Sequence, residues 1–154
     1  MGNDYVADVK VDAVGFIYVT GEFHGAMTYD GVGSTSAGGI DMFVAKLNDD
    51  GTLVWIKHAG GPGIDRGIKL AISNSGDLAV IGEFMGTANF FGTLITSLGG
   101  TPDMYVALFD AGTGALQWVR QGGGPDRGDR PYGVAIGGKL NTVDPGGSKG
   151  PASG

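Results

Sequence analysis

The chain has 154 residues, enough for one domain with a sizeable core if it is compact. Ten basic residues against sixteen acidic ones give a net charge of −6, which repels phosphate backbones and excludes nucleic acid as an expected partner. There are no cysteines, so disulfides and thiolate metal sites are excluded, and no apolar run approaches the roughly 18 residues that would predict membrane insertion.

In chain order, 4–12 alternates weakly, with Val9 and Val11 on one face, and reads as a first strand. Before it there is no apolar signal segment. Gly15 marks a turn, and Phe16 to Phe23 (FIYVTGEF) is β-branched and aromatic, a strand composition. His24 to Ile40 is rich in Gly, Ser and Thr and reads as a long connection with a short strand around Met27 to Tyr29. Asp41 to Leu47 alternates cleanly: Met42, Val44 and Lys46 on one side, Phe43, Ala45 and Leu47 on the other. Asn48-Asp49-Asp50-Gly51 is a hairpin turn, Leu53 to His58 the return strand, and the glycines from Gly60 stop it.

The order then repeats. Asp65 to Ile72 aligns with 4–11, and Leu78 to Phe84 repeats FIYVTGEF. Ala88 to Ser97 is a longer, more apolar connection in which a strand is expected. Asp103 to Phe109, the turn Asp110 to Gly114, and Ala115 to Arg120 complete the second unit. Gly21 recurs as Gly82, Asp41 as Asp103 and Trp55 as Trp118, at shifts of 61, 62 and 63 residues. Insertions therefore fall between blocks rather than inside them, the signature of a repeat architecture. Asp129 to Ile136 (DRPYGVAI) matches Asp65 to Ile72 and begins a third unit. The expected organisation is a repeat over 4–61, a second over 62–124, the first strand of a third over 125–137, and a flexible tail over 138–154. With 32 glycines, roughly three times the ordinary share, placed beside apolar runs, the chain reads as all-β with four strands per unit.

These blocks resemble the bacterial β-propeller repeat known as SBBP. The likeness rests on Phe16 to Gly21, Asp41 to Leu47, Gly51, Trp55 and Gly60-Gly61 in the first unit. The second unit departs mildly, with Ala79, Ile81 and Leu108 where the first has Tyr18, Thr20 and Lys46. The resemblance covers 4–136 and implies propeller blades, each a four-stranded antiparallel sheet, with Trp55 and Trp118 between neighbouring blades. It also implies scaffolding in surface or secreted bacterial proteins. Propellers close with about four to eight blades. Two blades per chain therefore lead to one of two expectations: a homo-oligomeric ring, as a trimer or tetramer, or a fragment of a larger propeller. The strands 4–11 and 129–136 would compete for one place in such a ring, so that one is displaced or exchanged between chains.

The densest charged elements are Asp65-Arg66, Asp126-Arg127 and Asp129-Arg130, each following a Gly-Gly segment. Two uses fit them: gripping a polar ligand, carbohydrate being the favoured class, at the channel mouth, or capping turns with the guanidiniums solvated or paired. The second is the commoner fate of such residues. Glu22 and Glu83 are equivalent and read the same way, as a fold requirement rather than a cation ring. Asp41 and Asp103 should accept from the backbone of the preceding turn. Asn48, Asp49 and Asp50 lack the spacing of a calcium loop, and His24 and His58 do not recur, so no metal and no cofactor are expected. The functional expectation is a non-catalytic, self-assembling scaffold or binding module. Its alternative is a hydrolase or lyase with an Asp/Arg site at the channel mouth, and no catalytic residue stands out for it.

Overall fold

The computed structural model describes residues 2–137; the expected tail 138–154 lies outside the described residues. Ten strands and no helix form them: β1 (Tyr5–Val11), β2 (Ile17–Tyr29), β3 (Val32–Leu47), β4 (Leu53–Ala59), β5 (Asp65–Ile72), β6 (Asp77–Phe84), β7 (Thr87–Phe90), β8 (Thr93–Thr96), β9 (Asp103–Asp110) and β10 (Leu116–Gly122). One antiparallel sheet has the order β1-β2-β3-β4, a second β5-β6-β9-β10, and β7-β8 is a separate hairpin. The chain is all-β, with one four-stranded antiparallel sheet for each sequence repeat.

Two expectations are corrected. The first concerns the connections, which are hairpins rather than loops with one strand each. β2 runs on to Tyr29, turns, and returns as the first half of β3, pairing from Ala26↔Thr35 to Tyr29↔Val32. Asp30 (φ 49°) and Gly31 (φ 82°) are both left-handed, as are Phe91 (φ 54°) and Gly92 (φ 98°) between β7 and β8. Two successive positive φ values make the two-residue turn whose twist matches the strands it joins. The polar composition concealed the alternation. The second correction concerns 129–136, which carries no strand. β1 and β5 each take their ladder from the strand that follows, β2 and β6 respectively. No counterpart of β2 follows 129–136 within the described residues, so its backbone has nothing to pair with.

Register decides what each sheet turns toward the other. Tyr18, Met42, Val44 and Ala59 share one core with Leu70, Leu78, Val80, Phe84, Tyr105, Ala107, Phe109 and Val119, and Trp55 packs against it. The alternation of Asp41 to Leu47 is thus resolved: Met42 and Val44 face the second sheet, while Phe43, Ala45 and Leu47 face away and line a groove. β5 contacts β1, β2 and β3, so the second sheet meets the first chiefly through β5. There Leu70 N–H donates to the Asp8 carboxylate at 3.0 Å.

Gly21 and Gly82 sit at equivalent close approaches. A Cβ on Gly82 would strike the Arg66 carbonyl oxygen and lie 2.6 Å from the Tyr105 hydroxyl oxygen; one on Gly21 would strike the Tyr5 carbonyl oxygen. Repetition of glycine at this place is therefore steric.

Candidate functional site

The six Asp-Arg residues divide by environment. Asp65 is fully buried, and its Oδ2 accepts from Gly61 N–H at 2.8 Å. The Arg66 guanidinium bridges two carboxylates: Nε meets Glu22 Oε2 at 2.7 Å and Nη1 meets Glu83 Oε1 at 2.7 Å. Burial opposes its charge, but the Glu83 hydrogen bond and the nearby Glu22 carboxylate more than offset this, and its pKa is raised. Asp126 and Arg127 are exposed. Asp129 Oδ2 accepts from Gly124 N–H at 3.0 Å, and Arg130 Nε lies 3.7 Å from Glu83 Oε2. The result is a ladder, Glu22–Arg66–Glu83–Arg130, in which each guanidinium reaches back to the carboxylate of the preceding repeat. Asp65 and Asp129 thus cap turns, and Arg66 and Arg130 face carboxylates.

Beside the ladder lies a pair of buried carboxylates. The place a Cβ on Gly60 would occupy is 2.7 Å from Asp41 Oδ1 and 2.9 Å from Asp65 Oδ2, so any side chain there would collide with both groups. Asp41 Oδ2 accepts from Ala37 N–H at 2.9 Å, and Asp103 Oδ2 from Leu98 N–H at 3.0 Å, the backbone bonds the sequence suggests. Asp41 Oδ1, Asp65 Oδ1 and Asp103 Oδ1 have no hydrogen-bond partner among the described residues. Burial pushes the Asp65 carboxyl up to about 7 despite the Gly61 N–H bond, with the Asp41 charge adding to the rise. Burial raises Asp41 too, opposed by the Ala37 N–H bond and by His58. Sequence patterning located both aspartates but gave no sign that β3 of one unit and β5 of the next would bring them together.

Both histidines lie on strands: His24 is exposed on β2, and His58 on β4 stands edge-on to the Phe23 ring at 5.5 Å. Among the described residues no group of three or more His, Asp or Glu side chains could hold a metal ion. Asn48 and Asp50 bind Thr52 within their own turn.

The ends of the two-sheet stack carry the remaining feature. Trp55 lies between the sheets, its indole N–H donating to the Ala111 carbonyl at 3.1 Å. Gly114 (φ +77°) packs so close that a Cβ would come within 2.8 Å of the indole. Trp118, its repeat equivalent, is 38 % exposed on the outer face of the second sheet with Met104 and Val106, the equivalents of the buried Met42 and Val44. At the other end, Val19, Phe43, Ala45, Leu47 and Ile56 line an apolar groove of about 240 Å³ with Tyr5 and Met27. Their equivalents in the second sheet, Val80, Tyr105, Ala107, Phe109 and Val119, are covered by the first sheet together with the β7–β8 hairpin, whose Phe90 meets Tyr105 and whose turn residue Phe91 meets Phe109. The stack is head-to-tail, and its two free faces are of the two kinds that meet at its centre.

No family model matches the chain. The chain is similar to a protein described as regulatory protein FlaEY of Caulobacter vibrioides, at 31% identity over 140 residues. That match takes in 85% of this chain but spans only 13% of the relative.

Proposed function

We propose that the chain is a non-catalytic scaffold of β-propeller blades of the SBBP-like kind, built to be extended at both ends by further blades. One observation carries this reading: the groove around Phe43 and Leu47 and the outer face bearing Met104, Val106 and Trp118 repeat the two surfaces that bury one another in the internal junction. Each four-stranded sheet has two apolar faces and cannot bury both alone, so further blades are the occupants of matching shape. A head-to-tail contact of this kind continues until a ring closes. The match to a small part of a much longer relative is consistent with such blades serving inside larger assemblies. For this chain by itself, further copies supply the blades, three chains giving six and four giving eight. Repeated loops around such a ring suit weak multivalent ligands, carbohydrate being the favoured class. The hydrolase or lyase alternative gains nothing from Asp65-Arg66, because Arg66 is engaged by two glutamates and Asp65 is sealed from solvent.

Light scattering coupled to gel filtration at about 10 µM protein tests the reading. The expected mass is that of three or four chains, and a monodisperse monomer overturns it.

A further inference from the structure

Residues 125–136 are attached to the second sheet as 62–72 are attached to the first. Gly124 N–H binds Asp129 Oδ2 as Gly61 N–H binds Asp65 Oδ2. Gly123 presses on the Asp103 carboxylate as Gly60 presses on Asp41. Arg130 reaches Glu83 as Arg66 reaches Glu22, and Asp129 N–H donates to the Pro102 carbonyl at 2.7 Å. The segment is thus anchored where the inner strand of a third blade belongs, yet among the described residues it has no strand partner.

We propose that 129–136 is a donor strand: it pairs with β2 of a second copy and replaces that copy's own β1. This rests on the blade-extension reading above and names how the junction between copies is made. Charge complementarity favours the exchange. In the second sheet Arg66 stands opposite Glu83, while in the first the matching place opposite Glu22 is held by Tyr5, which is exposed. With 129–136 in the register of β5, Arg130 stands opposite Glu22 of the second copy while it still reaches Glu83 of its own chain. The ladder then alternates without a break around the assembly. β1 exposes Val6, Val9 and Val11 (64 %, 52 % and 62 %), and the exchange gives up its tie to the second sheet, the bond from Leu70 N–H to Asp8. Pro131 is tolerated, because it falls beside the register shift that β1 has between Val6 and Asp8 and β5 between Gly67 and Lys69. Proline in a sheet is confined to edges and bulges of that kind.

The absence of native cysteine permits a direct test. Val9 pairs with Val19 in β1–β2, and Leu70 with Val80 in β5–β6, so the donor strand places Val134 opposite Val19 of the second copy. Val19→Cys and Val134→Cys are made as separate full-length variants, mixed, unfolded and refolded together, and oxidised. An interchain disulfide found only in the mixture, within an assembly of three or four chains, is the expected result. The double variant Val9→Cys/Val19→Cys is the counterpart. Efficient intrachain closure there in an intact assembly, with no Val19–Val134 link in the mixture, overturns strand donation and leaves blade extension standing. A monomer in every sample overturns both. Arg130→Gln supplies a second measurement, expected to weaken assembly at least tenfold without changing the strand content of the chain; unchanged assembly counts against donation.

Discussion

At the scale of single residues, the inner edge of the stack is governed by charge that has been taken out of water. Asp65 has its carboxyl raised from the ordinary 3.8 to about 7. A group whose proton is held more tightly in the folded state contributes stability that is complete below its unfolded pKa. That contribution is lost as pH rises through the folded value. The window here is from about pH 4 to pH 7, and Asp41, raised in the same direction, adds to it. The chain should therefore melt lower at pH 8 than at pH 5, and Asp65→Asn should remove most of that difference. At about 1.4 kcal/mol per pKa unit, the gain at pH 8 is of order 2–4 kcal/mol. Thermal melts of both proteins at the two pH values check it, and an equal pH dependence in the variant would contradict it. Arg66→Ala should act in the opposite direction, because Glu22 and Glu83 lose their shared partner. A partly exposed pair of this kind is worth about 2–3 kcal/mol when one side is removed, measurable by urea denaturation.

At the scale of elements, the same residue type at the same repeat position has two different fates. Trp55 is wedged between the sheets, so Trp55→Ala opens a cavity and frees the Ala111 carbonyl. A loss of about 3 kcal/mol of stability is expected, read from the denaturant midpoint. Trp118 is half-exposed, and Trp118→Ala should leave that midpoint of a dilute, dissociated sample within about 0.5 kcal/mol of the parent, as surface changes usually do. Its cost should appear in assembly, as a dissociation at least tenfold easier on dilution. Equal effects of the two substitutions on stability would argue against an unfilled face on the second sheet. The alternation in Asp41 to Leu47 predicted a two-sided strand and found one, with Met42 and Val44 against the neighbouring sheet and Phe43 and Leu47 in the groove. The hairpins at Asp30-Gly31 and Phe91-Gly92 were less legible. An Asp-Gly turn has a known signature, whereas Phe91 at φ 54° has none.

At the scale of the molecule, two sheets bury one face each and leave one face each. The groove by Phe43 and the Trp118 face are an apolar surface that a monomer does not ordinarily keep open. A fluorescent probe of exposed apolar surface should bind the dilute protein and be released as concentration rises, with a midpoint matching that of the mass measurement. Probe binding independent of concentration would oppose the reading.

The repeat of Gly21, Asp41 and Trp55 at shifts of 61 to 63 residues determined without coordinates that the chain is all-β, that each unit forms one four-stranded sheet, and where most strands lie. Those properties depend on neighbours along the chain: alternation, turn glycines and a periodic block order. Three things were left to the tertiary structure. Strand status for 129–136 depends on a partner strand that the repeat pattern does not guarantee. The roles of Asp65 and Arg66 depend on Asp41, Glu22 and Glu83, which are distant in sequence and meet only when one sheet stacks on the next. Which of two equivalent tryptophans packs against the neighbouring sheet depends on the direction of stacking, and a sequence that repeats itself carries no mark of which face is covered and which is free.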